Sequence, residues 1–204
     1  MKTKVLSLIA VAAIALGIGN TTYAAGKKDS AAKSEVSTVL TNVSRISKIE
    51  VYGNVQLFVS NDESDQIKVY NRYYAESAMV QNHNGVLRIS SYADQKLVVW
   101  VKASDLRSIS AYDNAEVRSF GKFEPLDVDI TLNNNAYAKL NLTGYNVNIT
   151  VNDRAKADLS GNVSDCCLKY NRSATVNSTE FAAGHLTRTM YTEKAKRSLD
   201  LVEL

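Results

Sequence analysis

The chain has 204 residues, with 24 Lys and Arg against 21 Asp and Glu and a formal net charge of +3. Lys2 and Lys4 lie in an N-terminal segment read below as cleaved, which leaves 22 bases against 21 acids and a net charge of +1. That balance lacks the basic stripe of a nucleic-acid binder, and one proline, eleven tyrosines and abundant Val, Ile, Thr and Asn favour an all-β chain over a helical one.

Lys2 and Lys4 precede an apolar run from Val5 to Ile18, broken only by Ser7 and Gly17. Thr22-Tyr23-Ala24 then places small residues where a signal peptidase reads them, so residues 1–24 are expected to be a secretory signal cut after Ala24 or Ala25. The run is about 14 residues, short of the roughly 20 that a spanning helix needs. No cysteine sits near the cut to anchor a lipid, and no second apolar run of spanning length follows. Residues 25–43, rich in Ala, Ser and Lys, read as a flexible leader. About 180 residues remain after cleavage, enough for one domain with its own core.

Strand patterning starts at Ile46. Ile49 and Val51, then Val55, Leu57 and Val59, alternate with polar residues across a break at Gly53-Asn54. Ile67 and Val69 follow a polar turn at 61–65. Met79-Val80 and Val86 to Ile89 flank Asn84-Gly85, a hairpin signal. Leu97 to Val101 reads as a continuous apolar strand.

A weak repeat runs through the second half. Alanine follows a polar corner at Asp113-Asn114-Ala115, Asn134-Asn135-Ala136, Asp153-Arg154-Ala155, Arg172-Ser173-Ala174 and Glu193-Lys194-Ala195, in steps of 21, 19, 19 and 21 residues. Such a period predicts a right-handed parallel β-helix or solenoid of about 19–21 residues per repeat, preceded by short strands and a hairpin. Val128, Ile130 and Leu132, then Val147, Ile149 and Val151, then Cys166, Leu168 and Tyr170, are the inward candidates. Asn133, Asn152 and Asn171 each stand three residues before a repeat alanine, and like-with-like stacking makes them a structural asparagine ladder. The terminal segment 191–204 reads as a last rung and cap.

The segment from Ile46 to Val55 resembles the opening of the GIN-type domain, the head of autotransporter adhesins in exported proteins of Bacteroidetes-type bacteria. Gly85-Val86-Leu87-Arg88-Ile89 and the stretch from Leu97 to Ile109 resemble that family's middle element. The family's Ser-Gly-Ser-Gly corners are replaced here by Asn, Asp and Ala. The resemblance covers roughly residues 44–190 and implies a β-solenoid at the cell envelope, with no catalytic residue to carry over.

Little in the chain points to chemistry. Cys166 and Cys167 are adjacent and so face opposite sides of a strand, one in the core and one outside. His83 sits in a turn, and His185 shows no acid or nucleophile partner in the sequence. No phosphate loop, nucleophile elbow or metal motif occurs, so no catalytic residue, cofactor or metal is expected. Tyr70, Tyr73, Tyr74 and Tyr92 are the candidates for a ligand or partner surface, because exposed rings stack on sugars or anchor interfaces. The preferred reading is an exported, non-catalytic binding or adhesion module for a glycan or an envelope protein, periplasmic or at the cell surface. The alternatives are a structural assembly protein that forms homo-oligomers and, last, a polysaccharide-active β-helix enzyme.

Overall fold

Alternate residues along each strand face one packed interior, which is what a period-two pattern means physically. The strand Leu97–Ala103 shows it: Leu97, Val99, Val101 and Ala103 are buried, while Val98, Trp100 and Lys102 are half-buried on the outer side. The computed structural model describes residues 37–40, 43–70, 78–121 and 123–192. The predicted signal, most of the leader and residues 193–204, with the fifth repeat corner, lie outside them.

Among the described residues thirteen strands form: β1 (Ser37–Leu40), β2 (Lys48–Gly53), β3 (Val55–Asn61), β4 (Gln66–Tyr70), β5 (Ala78–His83), β6 (Val86–Ser91), β7 (Leu97–Ala103), β8 (Ser108–Ala111), β9 (Glu116–Ser119), β10 (Asp127–Leu132), β11 (Tyr137–Val151), β12 (Lys156–Asn171) and β13 (Thr175–Tyr191). The chain is all-β as expected, with no helix among the described residues. β1 arises within the stretch read as leader. Among the described residues no helix is long and apolar enough to cross a membrane.

The repeat units stack in parallel. Val128, Ile130 and Leu132 of β10 lie beside Val147, Ile149 and Val151 of β11, and these lie beside Cys166, Leu168 and Tyr170 of β12. Each column repeats apolar side chains, buried except at the half-buried Tyr170, and fully burying one Val, Leu or Ile contributes about 1.5–3 kcal/mol. The strands after the corners stack likewise, with Val99, Leu57, Val117, Ala138 and Ala157 in one buried column.

The first half departs from the expected layout in two ways. The strands taken to precede the solenoid are part of the stack: β2 pairs in parallel with β8, and β3 with β9. The stack is also not in chain order, because β6 and β7 lie outside β2 and β3 although they follow them in sequence. Secondly, the sheet is mixed. β5 pairs antiparallel with β6, and β4 pairs antiparallel with β7 and β1, so antiparallel strands close this end of the stack. The predicted hairpin joins β5 to β6 through Asn84 and Gly85, at φ 50° and 81°.

The corners explain the missing glycines. Asp113, Asn134 and Asp153 adopt φ of 59°, 60° and 53°, a left-handed conformation that Asn and Asp tolerate better than other side-chained residues. Gly53 takes the equivalent place in the β2–β3 corner at φ 77°. The following alanines, Ala115, Ala136 and Ala155, are fully buried, and their amides return to the carbonyls of Tyr112, Asn133 and Asn152 at 3.1, 3.0 and 3.0 Å.

At the second bend, Gly161 sits at φ 101°, and a Cβ there would lie 2.2 Å from the Leu142 carbonyl oxygen. Gly161→Ala is therefore expected to destabilise the protein by about 2 kcal/mol or more, since such strain costs about 1–3 kcal/mol before the clash is counted. Urea unfolding checks this, and an unshifted midpoint would show that the rungs can separate at this bend without loss.

Candidate binding face

The outer side of the strands that follow the corners carries an aromatic cluster. Strand register sets Lys68 of β4, Trp100 of β7, Phe58 of β3 and Arg118 of β9 in one outward row. Adjacent strands are about 4.8 Å apart, so this row extends about 15 Å. Phe58 and Trp100 stack with ring centres 4.5 Å apart and planes 23° from parallel. Phe120 meets Trp100 edge-on at 4.3 Å, and Tyr70 leans towards it at 6.2 Å. The rings engage one another, so they present an apolar patch and not a set of open ring faces.

Cations border this patch. The Lys68 ammonium lies 4.7 Å from the centre of the Tyr70 ring, and the Arg118 guanidinium lies 5.9 Å from that of Tyr137. Arg118 is followed in the row by Lys139. Lys68 and Lys139 form no ion pair among the described residues. The Tyr137 hydroxyl donates to Asp158 at 2.6 Å, and burial, aided by that hydrogen bond, pushes its phenol up to about 12.

Two outer-face carboxylates, Glu116 and Glu50, are tied up. Glu116 is 8% exposed and accepts from Gln56 at 3.0 Å, Lys96 at 3.0 Å and Arg118 Nε at 2.7 Å. Burial is the largest single influence on its carboxyl and pushes upwards, but hydrogen bonds and charge from Arg118 and Lys96 outweigh it and hold the group below its ordinary value. Glu50, on the other outer face, is held between Lys48 and Arg88, each at 2.8 Å. There the Lys48 hydrogen bond dominates, burial opposes it and Arg88 reinforces it, again leaving the carboxyl below its ordinary value. A carboxylate so bound is poorly placed to move protons.

Of the tyrosines singled out in the sequence, Tyr70 joins the cluster and Tyr73 and Tyr74 lie outside the described residues. Tyr92 is apart from the cluster, 73% exposed at the β6–β7 corner with its hydroxyl donating to Asp113 at 3.1 Å. Sequence reading missed Phe58, Trp100 and Phe120. The signal was there: Leu97, Val99 and Val101 alternate inwards, which turns Trp100 outwards, but the unbroken apolar run concealed it.

The asparagines behave unequally. Asn152 Nδ2 donates to Asn133 Oδ1 at 2.7 Å, one step of a ladder. Asn171 instead turns its Oδ1 to the amides of Ser173 and Ala174, at 3.2 and 2.9 Å. A second corner ladder, unforeseen, joins Asn134 Nδ2 to Asp113 at 2.9 Å and Arg154 Nε to Asn135 at 3.1 Å.

Cys166 is buried and burial pushes its thiol up to about 11, which suits a core residue and not a nucleophile. Cys167 is half-buried. His83 is exposed. His185 does have an acidic neighbour, Asp165, at 3.3 Å on the surface, where strand register sets them side by side. An open depression of about 630 Å³ beside the hairpin contains Arg45 and Arg107, both paired with Asp105. No group of metal-ligating side chains occurs among the described residues.

The two glutamates set an acid limit. Their folded-state values lie below the ordinary 4.5, so the stability they contribute is complete above about pH 4.5 and is lost as pH falls through the folded-state values. Glu116→Gln should cost about 1–2 kcal/mol at neutral pH by replacing the charged, two-oxygen acceptor of Arg118 and Lys96 with a neutral amide. The gap between variant and wild type should narrow in acid. Thermal melts across the pH range test this, and a constant gap would contradict it.

The family model for "Putative auto-transporter adhesin, head GIN domain" matches residues 45–193. The crystal structure of a putative adhesin from Bacteroides fragilis NCTC 9343 resembles this fold with a TM-score of 0.64 at 15% identity, covering 79% of this chain and 78% of that one. A putative adhesin from Parabacteroides merdae ATCC 43184 gives 0.58 at 13% identity, over 79% and 80% of the two chains. A putative lipid binding protein from Parabacteroides distasonis ATCC 8503 gives 0.60 at 9% identity, over 78% and 79%. At these identities the likeness establishes the fold alone. No curated protein matches the chain. With its model matched across nearly all the strands described above, the family is settled: this chain belongs to the head GIN domain family of putative auto-transporter adhesins.

Proposed function

We propose that this protein is an exported cell-envelope module that binds without catalysing, and that the Trp100 face is its contact surface. The observation that carries the reading is the aromatic cluster with its cationic border, placed on the outside of a sheet whose inside is already filled. Apolar rings on an outer face are retained at a cost in solubility, and aromatic and Arg side chains are enriched where partners dock. Export rests on the N-terminal signal pattern, and an envelope or surface location on that pattern together with the family. The parallel half is read as a solenoid of 19–21 residues per turn, right-handed as parallel crossovers usually are; it holds the face rigid. A glycosidase needs two acids flanking its substrate, and the two buried acids of the outer faces, Glu50 and Glu116, are each clamped by two cations.

Unpaired Lys68 and Lys139 favour a partner that combines apolar and anionic groups, such as an acidic polysaccharide or an acidic envelope protein. The test is a screen of the secreted form, from Ala25, against acidic and neutral glycans and against envelope extracts. Trp100→Ala should weaken a hit by about 30-fold, the size of an interface hot spot. Lys68→Glu should weaken it in a salt-dependent way, and Tyr92→Ala should leave it unchanged. Binding indifferent to Trp100 and Lys68, or none to any of these probes, would reject the reading.

A further inference from the structure

Three loops meet where β2, β6 and β8 begin: residues 44–47, the Asn84-Gly85 turn and residues 104–107. Backbone bonds tie them in a column. The Gly85 carbonyl accepts from the amides of Ser47 and Lys48 at 2.9 and 3.0 Å, and the Ser47 carbonyl from those of Arg107 and Ser108 at 2.8 and 3.1 Å. The Asp65 carboxylate joins two of the loops again, accepting from the Ile46 amide at 2.5 Å and the Ser104 amide at 2.8 Å. These bonds hold the loops in place before any ligand arrives, which lowers the ordering cost of binding. The open depression between the loops, about 630 Å³, has no apolar side chain in its lining. That volume lies within the roughly 300–1,000 Å³ of small-molecule sites, but the lining suits a hydroxylated ligand and not an acyl chain. One shared carboxylate sets its charge. Asp105 accepts from Arg45 Nη2 and, through both oxygens, from Arg107 Nε at 3.1 Å. Two guanidinium groups, on side chains 67% and 68% exposed, are thus held side by side with one positive charge uncompensated. A guanidinium carries several N–H donors, and only one on each has an acceptor among the described residues.

A smaller cavity of about 170 Å³ adjoins the depression and shares Asp105 and Arg107 with it. There Glu124 and Asp127 reverse the sign of the charge, which confines an anionic group to the larger depression. The smaller cavity reaches Leu126, which is 73% exposed. Tyr145, 55% exposed, follows in the equivalent place one rung on, where the Asn146 amide donates to the Leu126 carbonyl at 2.9 Å. We propose that these loops form a second binding site, separate from the Trp100 face, for a sugar that bears a carboxylate or sulfate. The oxyanion pairs with Arg45 and Arg107, and the sugar chain runs on over Leu126 to Tyr145. Guanidinium forks hold such oxyanions through two parallel N–H bonds, which a neutral sugar does not offer. Ser44, Ser47 and Asn84 supply partners for the hydroxyls around the oxyanion. The Tyr145 ring supplies an apolar surface for a sugar ring further along the chain.

The experiment is an amide-resolved NMR titration of the secreted form with a galacturonate trisaccharide, a sulfated galactose trisaccharide and a neutral galactose trisaccharide. The expected result is saturable shifts at residues 44–47, 84–85 and 104–107 with an acidic trisaccharide, and affinity at least about tenfold lower for the neutral one. The acidic trisaccharide that binds more tightly identifies the oxyanion. Arg45→Gln and Arg107→Gln should each weaken acidic binding by about tenfold. Tyr145→Ala should weaken the acidic trisaccharide and not the matching acidic monosaccharide. Lys169→Gln, which removes an exposed cation elsewhere on the surface, should leave binding unchanged. Inorganic sulfate should bind at least about tenfold more weakly than the acidic sugar. No shift with any trisaccharide, equal affinity for the neutral sugar or for sulfate ion, or indifference to both Arg variants would overturn the inference. So would shifts confined to Phe58, Trp100 and their neighbours, which would put the sugar on the face proposed above. The wild-type comparison of acidic with neutral sugar decides the matter even where an Arg variant does not fold.

Discussion

Everything in this protein rests on keeping successive corners in register. A parallel stack gains its core only if each rung lands directly on the last, because a one-residue slip turns every inward side chain outwards. The corners enforce that register twice. Asp113, Asn134 and Asp153 take the left-handed conformation that ends one strand and starts the next, and side chains bond from rung to rung, Asn134 to Asp113 and, one place on, Arg154 to Asn135. Glycine would supply the same backbone conformation with no side chain to form a ladder. Asn and Asp accept some conformational strain and gain a lateral hydrogen bond in return.

The same stacking rule governs the outside. Residues in equivalent places face each other across about 4.8 Å, so outward aromatics gather as Phe58 on Trp100 and as Tyr52 on Tyr112, the latter pair 4.6 Å apart and nearly parallel. Charges gather likewise, with Glu50 and Glu116 each set between two cations. A sheet face built this way is held in place by the backbone ladders beneath it. It is better suited to holding a surface out to a partner than to closing around a substrate.

A stack has two ends, and its logic breaks at both. The chain meets one break by folding antiparallel strands over it, which is why the sheet is mixed. At the other, among the described residues, an Arg188–Ser178 contact lies where the buried columns give way to more exposed side chains.

Much of the fold was legible in the sequence, because local rules carry it. Period-two alternation marked the strands, Asn84-Gly85 marked the hairpin, and the recurring polar corner before alanine marked the parallel rungs from Asp113 onwards. The first corner, Gly53-Asn54-Val55, went unseen as a member of the same set. Gly53 replaces the Asx residue, and its neighbour in space, the β8–β9 corner, is some 60 residues away in the chain. No period links them, since β4 to β7 intervene and then stack on the far side. The binding face shows the same division. Sequence alone placed Trp100, Phe58 and Tyr70 on or beside predicted strands, while the unbroken apolar run from Leu97 to Val101 hid which side Trp100 occupies. Only tertiary pairing decided that these three strands are neighbours, because the hydrogen-bonded ladder specifies a partner strand and nothing in a strand's own alternation names it.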